Sequence, residues 1–193
     1  MEDRLITEAY LNSKIVMMGD YPYFVNTISD GNPPMTRDLL DEIVGGFQRL
    51  SDLDCDVLLA PETMGIPYGA ALTMRTGIPF QIIRKRRLGV EGEVAIEKTT
   101  GYETSTMYVH GLEKGSKAII VDDVVSTGNT LKALVEVLRK NEVEIEEALI
   151  VLNKCRDISV LEKEIGINIR TLMDVSVEDG KPVIKSSTRD SLF

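Results

Sequence analysis

One histidine and two cysteines in 193 residues close off several kinds of chemistry. Cys55 and Cys155 lie far apart with no C-x-x-C partner, so neither a zinc motif nor a dithiol redox motif is present, and both read as small buried hydrophobes. With His110 alone, a multi-histidine metal site is excluded and a Ser-His nucleophilic pair is not expected; the residue is assigned a structural role. No apolar run approaches the roughly 20 residues of a membrane span, and the N-terminal MEDRLITEAY carries no signal-peptide pattern. A cytoplasmic protein with no membrane partner is the expectation. Cations are outnumbered by anions, 22 to 31, and the net charge of −9 argues against nucleic acid as a partner. Internal repeats and low-complexity segments are absent as well.

What is present is a globular composition, 43% hydrophobic and 27% charged, on a chain that suits one domain over 1–193. Residues 36–50 have Leu39, Leu40, Ile43, Val44 and Phe47 at helical spacing, with Thr36 as a cap. Residues 56–60 (DVLLA), 78–83, 118–121, 147–152 and 170–175 read as strands, and residues 70–75, a segment after residue 130, and 158–165 as helices. Strands alternating with helices predict an α/β fold: a mostly parallel sheet with helices on both faces. Ligands of such sheets sit beyond the carboxyl ends of the strands, where the loops 61–65, 84–87, 122–130 and 153–157 would converge.

The richest stretch is 118–130, AIIVDDVVSTGNT. An apolar strand runs into Asp122 and Asp123, and a Ser126-Thr127-Gly128-Asn129-Thr130 turn then opens a helix. Such a turn puts backbone N–H groups and the positive helix end where a phosphate binds. The carboxylates beside it offer acceptors for hydroxyls or a hydrated cation, so a phosphorylated ribose satisfies every part of the segment. A plain helix cap at Ser126 or Thr127 is the alternative. The cluster Arg84-Lys85-Arg86-Arg87 falls on the same sheet edge, which favours an anion site over a solvated basic face. Residues 88–109 are long for a connection, and their β-prone pieces 94–96 and 106–109 read either as a flap closing over a ligand or as a hairpin packed on the sheet edge.

The combination resembles the type I phosphoribosyltransferases. The likeness rests on IIVDDVVSTGNT (119–130), similar to that family's motif for phosphoribosyl pyrophosphate. Within the family it is most similar to the purine enzymes of the adenine phosphoribosyltransferase branch, which includes archaeal hypoxanthine/guanine enzymes. GDYPYFVNTISDG (19–31) resembles the hood over the base, placing a hood at about 1–35, and APETMG (60–65) resembles the loop that meets pyrophosphate. PFQIIRKRR (79–87) and TGYETS (100–105) resemble the mobile-loop region, placing a flexible lid at about 88–109.

The resemblance implies purine salvage: magnesium-dependent transfer of the 5-phosphoribosyl group to a free purine, with hypoxanthine or guanine favoured, by a homodimer. It implies that Ser126, Thr127, Gly128, Asn129 and Thr130 hold the 5-phosphate. Asp122 and Asp123 would meet the ribose hydroxyls directly or through water on Mg2+. Arg84, Lys85, Arg86, Arg87 and the loop Glu62-Thr63-Met64-Gly65 would face pyrophosphate, and Phe24 would stack on the base.

The chain also departs from the family. Many relatives have a second glycine where Asn129 stands, and asparagine is the next-best residue at positive φ. Hypoxanthine-guanine enzymes of the common human type carry an aspartate at Ser126, so the general base is open. Glu103 beside Tyr102 is the substitute, since Gly101 occupies the place of a loop glutamate in adenine-type enzymes. Lys154 reads either as a donor to a 6-oxo group or as a surface lysine. Rival readings are an adenine or orotate phosphoribosyltransferase, or a regulator that senses phosphoribosyl pyrophosphate.

Overall fold

The computed structural model describes residues 3–19, 21–99 and 104–187. The chain opens with helix α1 (Arg4–Leu11), hairpin β1 (Lys14–Met18) and β2 (Tyr21–Val25), and the short α2 (Thr27–Asp30). None of these was legible as an element. Then follow α3 (Arg37–Leu50), β3 (Val57–Pro61), α4 (Gly65–Thr76), β4 (Phe80–Ile83), the hairpin β5 (Val94–Thr99) and β6 (Thr104–Val109), β7 (Lys117–Val125) and α5 (Asn129–Lys140). β8 (Glu144–Asn153), α6 (Ile158–Ile165), β9 (Asn168–Glu178) and β10 (Lys181–Ser187) complete it.

Six strands form one sheet in the order β10-β9-β8-β7-β3-β4, parallel throughout except for β10, which runs antiparallel to β9. Because successive strand residues point to opposite faces, each central strand feeds two cores. Leu58, Ala60, Ile119, Val121, Leu149 and Val151 join the core that includes α1, α3 and α4 residues. Leu59, Ile120, Ala148 and Ile150 join the one built with α5, α6 and the β5–β6 hairpin. This explains why the strands read as unbroken apolar runs.

Three expectations are corrected. The helix expected at 70–75 begins at Gly65, because Pro67 sits in its first turn, where a missing N–H costs nothing. The strand expected to end at residue 121 continues to Val125, with Asp122 and Val124 still paired to β8, so the two acids lie within the strand. Cys55 and Cys155 are half-buried rather than buried. Of the two readings of 88–109, the described part is a hairpin packed on the sheet edge. Arg84 and Tyr108 exchange both main-chain hydrogen bonds, at 2.8 and 2.7 Å, and Ile96, Met107 and Val109 are buried.

Candidate functional site

The carboxyl ends of β3 and β7 open onto a cavity of about 840 Å³. Two helices begin at its rim, α4 after the Glu62–Met64 loop and α5 after the Ser126–Gly128 turn. Neither has a side-chain cap, whereas α2, α3 and α6 are capped by Asn26, Thr36 and Asp157. Beyond Ile66 N, which donates to Thr63 O at 3.4 Å, and Asn129 N, which reaches Thr127 Oγ1 at 3.5 Å, the first-turn amides are open to an anion, with the helix dipoles adding positive potential.

In the α5 turn Gly128 has φ 73°, and a Cβ there would run into the Leu161 side chain. Its carbonyl accepts the first helical bond, from Lys132 N at 2.9 Å, while Asn129 N meets Thr127 Oγ1 at 3.5 Å. The left-handed residue is thus Gly128 alone. Asn129 is the first residue of the helix, so the positive φ expected for it is not required. Thr130 lines the cavity one residue further on.

Opposite lies the β3–α4 loop. Glu62 N donates to Ile83 O at 2.8 Å, and Glu62 Oε2 accepts from Lys85 N at 2.8 Å, which fastens the loop to the chain leaving β4. The Glu62–Thr63 peptide is cis. A Cβ on Gly65 would lie 2.6 Å from the Val121 carbonyl oxygen, so only glycine lets α4 start this close to β7. Glu62, Thr63, Met64 and Lys85 all line the cavity.

Asp122 and Asp123 lie between the two helix ends, and Asp123 N donates to Asp122 Oδ1 at 2.9 Å. Burial pushes the Asp123 carboxyl above the ordinary range, while Asp122 and Ser29 facing it pull it partly back. The nearby Tyr68 hydroxyl is pushed well above its ordinary value, by burial first and then by these two carboxylates.

Not all of the basic cluster reaches the cavity. Arg84 Nε is buried and meets no acceptor among the described residues. Arg86 is exposed, and Arg87 is 3.6 Å from Glu93 Oε2, outside the cavity lining. Glu93 also accepts from the main-chain N–H groups of Leu88 and Gly89, which hold it below the ordinary carboxylate range.

Phe24 is placed differently from its expected stacking role. It is buried in the core, edge-on to Tyr10 at 5.4 Å, with the Lys154 ammonium 5.3 Å from its ring centroid. Tyr23, its neighbour on the opposite face of β2, lines the cavity instead, with its hydroxyl donating to Asp30 Oδ1 at 2.9 Å. Lys154 is not a surface lysine: it is half-buried and donates to Pro22 O at 3.0 Å. Tyr102 and Glu103 lie outside the described residues.

Sequence reasoning missed Tyr23, Ser29 and Asp30, and also Ser105, Thr106 and Met107 of β6, which line the cavity as well. A signal for the first group existed, since Asn26 is a strong helix-capping residue and its Oδ1 accepts from Ile28 N and Ser29 N.

Comparison with known proteins agrees with this geometry. Residues 37–177 match the phosphoribosyl transferase domain family. The chain is 38% identical over 186 residues to a hypoxanthine/guanine phosphoribosyltransferase of Methanobacterium paludis, covering 96% of this chain and 98% of the relative. It is 41% identical over 177 residues to that of Methanobacterium lacus, covering 92% and 93%. In fold it is similar to the adenine phosphoribosyltransferase of Leishmania donovani, with a TM-score of 0.72, 16% identity and coverage of 89% and 79%. The Saccharomyces cerevisiae adenine enzyme gives 0.69, 18%, and 86% and 96%. The chain belongs to the phosphoribosyltransferase family, in the purine branch of its type I members.

Proposed function

We propose that this enzyme transfers the 5-phosphoribosyl group of phosphoribosyl pyrophosphate to hypoxanthine or guanine, giving a nucleoside monophosphate and pyrophosphate. The observation that carries the reading is the pair of uncapped helix starts, α4 and α5, facing one cavity across Asp122 and Asp123. The α5 turn, residues 126–130, takes the 5-phosphate, and the α4 loop with Lys85 and Arg84 takes pyrophosphate. The base lies under the N-terminal hairpin, which acts as a hood, against Tyr23. The 6-oxopurine choice is supported by the names of the archaeal relatives and by Lys154, a donor suited to an exocyclic oxygen.

Attack of a purine ring nitrogen on the anomeric carbon breaks its bond to the pyrophosphate oxygen. Positive charge develops on the ribose and negative charge on the leaving group. Asp122 and Asp123 hold the ribose hydroxyls and favour the cationic sugar, while the α4 amides and Lys85 take up charge on the leaving group. Ser105, Thr106 and Met107 of the β5–β6 hairpin wall the cavity and keep water from the sugar, and by the family likeness Glu103 takes the purine proton. The two carboxylates suit Mg2+, which takes one or two such ligands plus substrate phosphates and water. When bound there through water it would offset charge on the pyrophosphate.

A homodimer and a cytoplasmic location complete the reading, on the family likeness. Among the described residues no helix is long and apolar enough to cross a membrane.

The test is turnover of hypoxanthine, guanine, xanthine, adenine and orotate in parallel, with phosphoribosyl pyrophosphate and magnesium. Hypoxanthine and guanine are expected to exceed adenine and orotate in kcat/KM by about 100-fold, the scale of leaving one buried polar group unpaired at about 1–3 kcal/mol. A preference for adenine would overturn the base assignment and leave phosphoribosyl transfer intact.

A further inference from the structure

At the carboxyl end of the sheet, three neighbouring strands carry one row of polar residues. Asn153 at the end of β8 is paired with Asp174 of β9, and Asp174 with Ser186 of β10. Their side chains bond along the row. Ser186 Oγ donates to Asp174 Oδ2, Thr171 Oγ1 donates to Asp174 Oδ1 at 3.4 Å, and Asn153 Nδ2 donates to Asp174 Oδ1 at 2.8 Å. The β9–β10 register shifts between Ile184 and Ser186, an irregularity of the kind that re-aims side chains on edge strands.

The row ends on the main chain around Lys154. Asn153 is 5% exposed, and its Oδ1 accepts from Cys155 N at 2.8 Å. That acceptor role fixes the amide, because turning it over would set its NH2 against the Cys155 N–H and its oxygen against the Asp174 carboxylate. Lys154 sits between these two residues. Its own N–H donates to Val125 O at 2.7 Å, so β7 pins one side of it and the Asn153 amide pins the other. The side chain held in this way carries its ammonium to Pro22 O and the face of Phe24. Lys154, Asn153, Asp174 and Ser186 all lie outside the lining of the sugar-phosphate cavity, and Lys154 reaches toward its hood side through Pro22 and Phe24.

We infer that Asp174, acting through Asn153, is a positioning residue that holds Lys154 where it meets the exocyclic oxygen of the purine. The inference rests on the assignment of Lys154 to base recognition. Its consequence is selective: disturbing the row weakens binding of the base and spares phosphoribosyl pyrophosphate. If the row served only to close the polar end of the sheet, it would move stability and both substrates alike.

A double-mutant cycle on the full-length enzyme, with hypoxanthine as the varied substrate, separates these. Asp174→Asn is expected to raise the hypoxanthine KM by about tenfold, the scale of a small misplacement of a positioned group. The KM for phosphoribosyl pyrophosphate should stay within about twofold. In a Lys154→Met background, Asp174→Asn should add nothing further, since the group it positions is gone. Ser186→Ala removes one donor from an edge strand, and its effect on the hypoxanthine KM should vanish in the same background; it gives the answer if Asp174→Asn does not fold. Full additivity with Lys154→Met, or equal rises in both KM values, would overturn the positioning role alone. An unchanged hypoxanthine KM in Lys154→Met would overturn the base assignment and the inference with it.

Discussion

The hydroxyl of Tyr68, in α4, donates to the carbonyl oxygen of Ile28, in α2, at 2.8 Å, at the centre of a core where both side chains are fully buried. Burial and the nearby Asp123 and Asp122 charges hold the hydroxyl proton on well past the ordinary tyrosine range, so it remains a donor at any working pH. The bond ties α4, whose N-terminus opens onto the cavity, to the segment that carries Ser29 and Tyr23 at the same cavity.

Tyr68→Phe keeps the ring and its edge-on contact with Phe47 but leaves the Ile28 carbonyl without its donor. The cost of an unmet buried acceptor is about 1–3 kcal/mol. For a chain of this size that is a Tm drop of roughly 2–4 °C per kcal/mol by thermal melting. Kinetics should show the purine KM rising more than kcat falls, because the loosened segment is the one proposed to cover the base. An unchanged melt and unchanged KM would show that α2 is held by its packing alone.

Gly65 and Gly45 predict opposite signs for the same substitution. A methyl at Gly65 meets the Val121 main-chain oxygen at 2.6 Å, which cannot retreat without moving β7. Gly65→Ala should destabilise by about 1–3 kcal/mol, as overpacking does, and raise the KM for phosphoribosyl pyrophosphate by displacing the α4 start. At Gly45, inside α3, the nearest atoms are guanidinium ends of Arg75 and Arg49 at 3.4 and 3.6 Å, which can swing away. Gly45→Ala should stabilise by about 0.5–1 kcal/mol through helix propensity. Urea melts of the two variants check both signs.

Cys55 is a thiol made inert by its surroundings. Half-buried against the core, with Asp56 and Asp54 adding to the effect, it is pushed up to about 11 from 9.0. The thiolate is the attacking form, so the rise lowers its population about a hundredfold. Alkylation by iodoacetamide at neutral pH, followed by peptide mass spectrometry, should label Cys55 about 100-fold more slowly than a thiol of ordinary pKa. Labelling at the ordinary rate would mean that the segment before β3 opens readily.

The parts of the fold that were legible are those in which local pattern and final environment agree. Residues 158–165 have a capping Asp157, a helical apolar face and a closing Gly166, and α6 has those bounds. The 36–50 helix reads equally well for the same reason. β10 was not legible, because an edge strand of mixed exposure carries neither an apolar run nor clean alternation. The N-terminal hairpin shows the same limit, since β1 leaves Val16, Met17 and Met18 exposed. In the site, the 118–130 segment carried its chemistry in consecutive residues and could be read. The choice between Phe24 and Tyr23 depended on which face of β2 turns inward, and the Asp174–Asn153 row depended on strand order. Both are tertiary facts that neighbouring residues do not encode.

Asp123 sets activity against stability. Its carboxyl is raised by burial, so the folded state holds that proton more tightly than the unfolded chain does. Stability from this group is fully present below the ordinary carboxylate value and is lost as pH rises through the raised folded value. Ionising this carboxyl in the folded state therefore strains the fold. Asp123→Asn keeps the shape and removes the charge. It should melt higher than the parent at neutral pH, by roughly 2–4 °C for each kcal/mol regained, and the gap should close as pH falls toward the ordinary carboxylate range. The same variant should lose about 100-fold or more in kcat, because it gives up the carboxylate proposed to favour the developing sugar cation. Melting curves across pH, run beside initial rates, read both effects. A lower neutral-pH melt in Asp123→Asn would mean that the carboxylate is held by favourable bonds that outweigh its burial.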